Sequence, residues 1–128
     1  MNREDIFKIA LEYFGVEPDY PWSDEKYKDA AVLRHKDNKK WFGLIMTVSG
    51  RNIGREENQK FEILNLKTEP EIIFELLQQK GVIPAYHMNK PHWLSLILSE
   101  VDKDLMTVLL EKSFHLTEKR STCSLKDS

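Results

Sequence analysis

Between Pro84 and Trp93 the chain gathers Tyr86, His87, Met88, Asn89, Lys90 and His92. Three chemistries are open to such a set. Imidazoles titrate near neutral pH and serve as bases or metal ligands. Asn89 and Lys90 can donate to phosphate oxygens, and the rings of Tyr86, His92 and Trp93 offer stacking faces. Pro84 and Pro91 fix φ and remove amide donors, so the stretch reads as an extended, exposed connection that ends at a strand. No acid occurs between Glu75 and Glu100, which makes the surroundings locally basic.

Metal binding finds little support. His87 and His92 are five apart, without the four-residue helical spacing of a ligand pair, and His35 and His115 lie elsewhere. The expectation is no metal and no cofactor. Catalysis would need a histidine acting as base beside Ser95 or Asn89. No nucleophile motif, glycine-rich phosphate cradle or paired carboxylates accompany it, and histidines that pin a loop by donating to carbonyls explain the same residues. The chain is therefore expected to have no catalytic residues and not to be an enzyme. An anionic partner is left as the leading use of the stretch, although Tyr86 and Trp93, taken singly, read as wedges against a sheet.

The elements that must position this stretch are legible in the periodicity. Residues 2–14 predict a helix with Ile6, Phe7, Ala10, Leu11 and Phe14 on one stripe, Asn2 as cap with Asp5 three on, and Gly15 as terminator. Residues 16–25, with Pro18, Tyr20, Pro21 and Trp22, form a connection whose tryptophan packs on the domain edge. Strands are predicted at 29–36 and 41–48 around an Asp37-Asn38 turn. In the second, Phe42, Leu44, Met46 and Val48 are expected on one face. A polar loop follows, in which Arg51 and Arg55 are offset by Glu56 and Glu57.

A third strand spans 60–67. Thr68 is read as the cap of a helix, with Glu71 closing a capping box, Pro70 in the first turn, Ile72, Ile73, Leu76 and Leu77 buried, and Gly81 ending it. A short strand within 83–88 and another at 93–99 come next. In the latter, Leu94, Leu96 and Leu98 face one way and Trp93, Ser95 and Ile97 the other. The last helix, 102–117, is capped by Asp102 or Ser99. The fold class expected is α+β: two layers, an antiparallel sheet of about five strands covered by helices on one face, in the order α-β(3)-α-β(2)-α. Residues 1–117 form one domain, and residues 118–128 are expected to be a disordered tail.

Charge narrows the partners. The formal net charge is −2, which counts against a global basic field. Residues 1–25 hold two basic and seven acidic side chains, a net of −5, whereas residues 26–40 hold six and two, a net of +4. Lys36, Lys39 and Lys40 crowd the predicted hairpin tip. The single cysteine, Cys123, cannot form an internal disulfide, which predicts a reducing, cytoplasmic setting. No apolar run approaches the ~18 residues of a membrane span.

The run Tyr86-His87-Met88-Asn89-Lys90-Pro91-His92-Trp93 resembles the most recognisable motif of the MmcQ/YjbR family, a His-Met/Leu-Asn-Lys-x-His-Trp segment leading into a strand. Asn65-Leu66-Lys67 before Glu69-Pro70-Glu71, and Leu110-Glu111-Lys112-Ser113-Phe114, are similar to further family segments. Phe114 stands where the family usually has tyrosine. The resemblance covers about residues 3–117. It implies a domain like the CyaY/frataxin-like and secretion-chaperone-like folds and a DNA-binding label attached to a "double wing" of hairpins. It also implies Lys67, His87, Asn89, Lys90, His92, Trp93 and Ser113 as the matched positions. The expected function is weak binding to a phosphate backbone through these residues other than Ser113, together with Tyr86 and the tip lysines Lys36, Lys39 and Lys40. A protein-interaction adaptor and an uncharacterised enzyme using the His/Asn/Lys loop are the alternatives. The expected partners are DNA, bound without strong sequence choice, or a protein; no membrane is expected.

Overall fold

Asn2 opens helix α1, Arg3–Phe14, as its residue type predicts. Its side chain accepts from the Asp5 amide while the Asp5 carboxylate accepts from the Asn2 amide. Gly15 closes the helix in the left-handed conformation, φ 66°. The computed structural model describes residues 1–118; Cys123 and all but the first residue of the expected tail lie outside the described residues.

Five strands follow: β1 Ala31–Arg34, β2 Trp41–Ser49, β3 Lys60–Lys67, β4 Val82–Pro84 and β5 Trp93–Ile97. They form one antiparallel sheet in the order β1-β2-β3-β5-β4. Helix α2, Pro70–Leu76, bridges β3 to β4, and α3, Lys103–Leu116, closes the described chain with Asp102 capping the Leu105 amide. A short 3-10 turn, Gly50–Ile53, leads the loop after β2. The two-layer α+β class is as the periodicity predicts, with β1 and β4 shorter than expected.

Several local expectations fail, the first two for reasons of tertiary pairing. Leu33 pairs with Gly43 and Arg34 with Trp41, so Phe42 is an extra residue on β2. This bulge breaks the two-residue alternation. Phe42 joins the helix-side core with Ile45, while Leu44, Met46 and Val48 occupy the opposite face. Thr68 is not a helix cap either. The capping position falls to Glu69, whose side chain makes no capping bond, and Pro70 takes the first helical place. The Thr68 amide instead donates to the His92 carbonyl at 2.9 Å, which keeps it in the β3 extension, with its hydroxyl buried and unpartnered. Nor is any residue of α2 fully buried; Ile73, Leu76 and Leu77 only lean on the core. The helix ends at Leu76, and the turns after it reach Gly81 at φ 80°. A Cβ on Gly81 would lie 2.6 Å from the Val101 amide nitrogen.

All three helices pack on one sheet face, where Ile6, Phe42, Leu64, Leu96, Met106 and Leu110 are buried. Across the hairpin end of this core the rings of Phe14 and Phe114 stack at 4.1 Å, and Phe42 meets Phe114 edge-on at 4.9 Å. The opposite face has its own core of Val32, Leu44, Met46, Val48, Ile63 and Ile97. Irregular chain covers it: Trp22 and Tyr27 from the connection before β1, and Tyr86 and Met88 from the loop between β4 and β5. No described helix is long and apolar enough to cross a membrane.

Candidate functional site

The strand register brings the candidate residues together. Trp41 opens β2 opposite Arg34, Lys67 ends β3 opposite Trp93, and Pro84 ends β4 opposite Leu94. Because neighbouring strands are antiparallel, the 35–40 turn, the end of β3 and both ends of the β4–β5 loop fall at one end of the sheet. The turn is well held. Lys39 adopts φ 64°, the His35 carbonyl accepts from the Lys39 amide at 3.2 Å, and the Asn38 side-chain amide donates to the Thr117 carbonyl at 2.9 Å. Lys36, Lys39 and Lys40 are exposed there, and Lys67 is half-buried. None of the four forms an ion pair among the described residues.

Other cations are engaged. Arg55 grips Glu100 with two bonds of 2.7 Å, from Nε to Oε2 and Nη2 to Oε1. Glu100, not the adjacent Glu56 and Glu57, therefore neutralises it. The Arg55 fork holds the Glu100 carboxyl below the usual carboxylate range. Arg34 pairs with Asp19, Lys112 with Glu69 at 2.7 Å, and Arg3 with Glu62.

The motif loop is anchored from within. The Tyr86 amide donates to Ser95 Oγ at 2.8 Å, and Ser95 Oγ donates to Asn65 Oδ1. The Asn65 side-chain amide then reaches the Leu44 carbonyl at 3.5 Å and Met46 Sδ at 3.8 Å. Ser95 and Asn65 are fully buried. Ser95 is thus a loop anchor. Lys90 Nζ donates to the Ala85 carbonyl at 2.9 Å and so ties one side of the loop to the other. Trp93 is half-buried at the start of β5. His87, Asn89 and His92 are exposed, and their side chains make no hydrogen bond with described residues. His87 is held at φ 59°, with its ring 4.0 Å from that of Tyr86.

Ser113 is structural rather than a contact residue. It is fully buried on α3 and bonds the backbone of β2 and β3. His35 is also buried, its Nε2 2.8 Å from Thr117 Oγ1 and 3.0 Å from the Phe114 carbonyl. The Phe114 side chain contributes ring contacts only, so the hydroxyl of a tyrosine is not needed for this packing. Among the described residues no group of three or more His, Cys, Asp or Glu is placed to hold a metal ion.

Sequence reasoning missed a recess on the sheet face away from the helices. Trp22, Tyr27, Trp41, Met46, His87 and Met88 line a cavity of about 250 Å³. Trp22 and Trp41 meet nearly perpendicular, 87°, with centroids 5.7 Å apart, and Trp22 lies 6.4 Å from Tyr27. Trp22 packs on the second core, with partners from two distant segments. Their only signal in the sequence was three large apolar side chains, Trp22, Trp41 and Met88, that no helix stripe absorbs.

The YjbR family profile matches residues 11–116. The chain belongs to the YjbR family. An uncharacterised Bacillus subtilis protein, YyaQ, is 47% identical over 119 residues, covering 92% of this chain and 99% of the relative. A crystal structure of a Pseudomonas syringae protein superposes with a TM-score of 0.87 at 38% identity, covering 92% of this YjbR chain and all of the other. A solution structure from the same organism gives 0.81 at 36%, with 95% and 99% covered. Deinococcus radiodurans protein DR2400 shares the fold at a TM-score of 0.67 and 23% identity, with 98% of this chain and 86% of that one covered.

Proposed function

We propose that this YjbR-family chain binds nucleic acid, gripping phosphates through the lysine-bearing end of its sheet, without strong sequence choice and without turnover. The observation that carries the reading is the strand register. It sets Lys36, Lys39 and Lys40 at the same sheet end as Lys67 and the loop bearing His87, Asn89 and His92. These ammonium groups make no ion pair among the described residues, while Arg3, Arg34, Arg55 and Lys112 are matched by carboxylates. A chain of net charge −2 has no long-range attraction for a polyanion, so the grip acts at short range and is salt-sensitive. Contact by four lysines corresponds to a log–log salt slope of roughly −3 to −4 on duplex DNA.

The test is a fluorescence-polarisation titration of labelled duplex and single-stranded DNA at rising salt. The chain with Lys36, Lys39, Lys40 and Lys67 all changed to alanine should lose most of the binding and most of the slope. Absence of binding by the unaltered chain at low salt would remove the reading.

A second reading rests on the helix layer. Phe74 on α2 is 76% exposed and Val108 on α3 is 58% exposed. Apolar groups so far from the core fit a protein-interaction adaptor. Light scattering that shows a monomer, together with unchanged behaviour of Phe74→Ser, would argue against it.

A further inference from the structure

We infer that the recess between Trp22, Trp41 and His87 takes an unpaired nucleobase, with its phosphate held by the lysines beside it. The inference rests on the nucleic-acid reading above and names the part of the ligand that enters the fold.

The cavity, about 250 Å³, falls below the roughly 300–1,000 Å³ of pockets for larger ligands, so a single ring system suits it. Its lining is aromatic and soft: two perpendicular indoles, a phenol ring, an imidazole and the side chains of Met46 and Met88. Such walls favour a planar ring. The indole N–H groups of Trp22 and Trp41 donate to no described residue, and neither is a buried unpartnered atom. A base carries acceptors on its edges that such donors can meet, whereas a hydrocarbon offers none.

Lysines flank the recess residues in the chain. Lys26 Nζ stands 5.3 Å from the Tyr27 ring centroid, and Lys39 and Lys40 immediately precede Trp41. Glu25, beside Lys26, is already paired with Lys28 at 3.0 Å. A phosphate attached to the occupant would meet Lys39 and Lys40, which form no ion pair among the described residues. His87 completes the rim. A non-glycine residue at φ 59° is sparsely populated, and here the loop is anchored before it, at the Tyr86 amide, and tied after it, by Lys90 to Ala85.

A base with its phosphate can come from a free mononucleotide or from a single strand. The experiment follows tryptophan fluorescence and polarisation with three probes: a 5′-mononucleotide, a single-stranded 12-mer, and the same 12-mer made abasic. Duplex DNA is the control. Trp41→Ala and His87→Ala should each weaken the single strand about tenfold, Trp41→Ala should leave the duplex unchanged, and the abasic strand should bind as weakly to the unaltered chain. His87 is exposed, so its alanine variant keeps the fold even if Trp41→Ala does not. Equal binding of normal and abasic strands, with neither variant affected, overturns the inference while the lysine grip stands. Mononucleotide quenching without strand binding supports the recess and overturns the lysine reading. No response to any probe overturns both.

Discussion

The hydroxyl of Ser113 donates to the Phe42 carbonyl at 2.7 Å and, from the other side, accepts the Lys67 amide at 2.9 Å. Phe42 is the bulged residue of β2, and the β2–β3 ladder ends at the Leu44–Asn65 pair. Helix α3 therefore supplies, through one side chain, hydrogen bonds that the interrupted ladder does not make. The same contact fixes the hairpin root and the end of β3, which together carry the candidate lysines.

Ser113→Ala should leave a buried carbonyl and a backbone amide without partners. The expected loss is about 2–4 kcal/mol. Urea denaturation measures it, with Thr107→Ala as the comparison, since that hydroxyl bonds only the preceding turn at Lys103. The comparison variant should change by no more than about 0.5 kcal/mol. Equal midpoints for both variants would mean that Ser113 does not bridge the layers.

Ser95→Ala should release the motif loop from the sheet. The Tyr86 amide and Asn65 Oδ1 lose their common partner, at a cost of about 1–3 kcal/mol. Amide hydrogen exchange at Tyr86 should accelerate more than exchange in the middle of β5. Asn65→Ala and Ser95→Ala should combine non-additively because the two side chains touch. Unaltered protection of Tyr86 would show that the loop is held by other means.

Glu100 gives the stability an acid-sensitive component. Hydrogen bonding to Arg55 is the largest cause of its lowered pKa, with burial opposing it. A depressed folded value means stabilisation that is present above the ordinary glutamate pKa, about 4.3, and lost as pH falls through the folded value. Side-chain exposures of 32% and 21% keep the contribution near or below about 1 kcal/mol. Thermal melts from pH 7 to pH 3 should therefore fall less steeply for Glu100→Gln than for the unaltered chain below about pH 4.5. Parallel curves would assign the acid sensitivity to other carboxylates.

Much of the fold was legible because its signals are local. The Asn2 cap, the Gly15 terminator, the Asp37-Asn38 turn and the split of β5 into Leu94/Leu96 and Ser95/Ile97 each depend on a few adjacent residues. The site was legible in part. The motif loop is exposed at His87, Asn89 and His92, yet Tyr86 and Met88 pack on the second core, Lys90 is tied to Ala85, Ser95 is an anchor and Ser113 is a buried pin. The chain alone could not separate an exposed donor from one already engaged, since both present the same residue type.

The amino-acid order by itself determined the elements, their sequence and the apolar faces, because helix and strand periods and end signals act within one or two turns of chain. Only the tertiary structure decided where Phe42 points, that Thr68 stays with the sheet, which cations are matched, and that Trp22, Trp41 and His87 line one recess. Each of those outcomes depends on groups far apart in the chain, as with Arg55 and Glu100, 45 residues apart. Such contacts form only when the strands settle in register, and no local propensity encodes them.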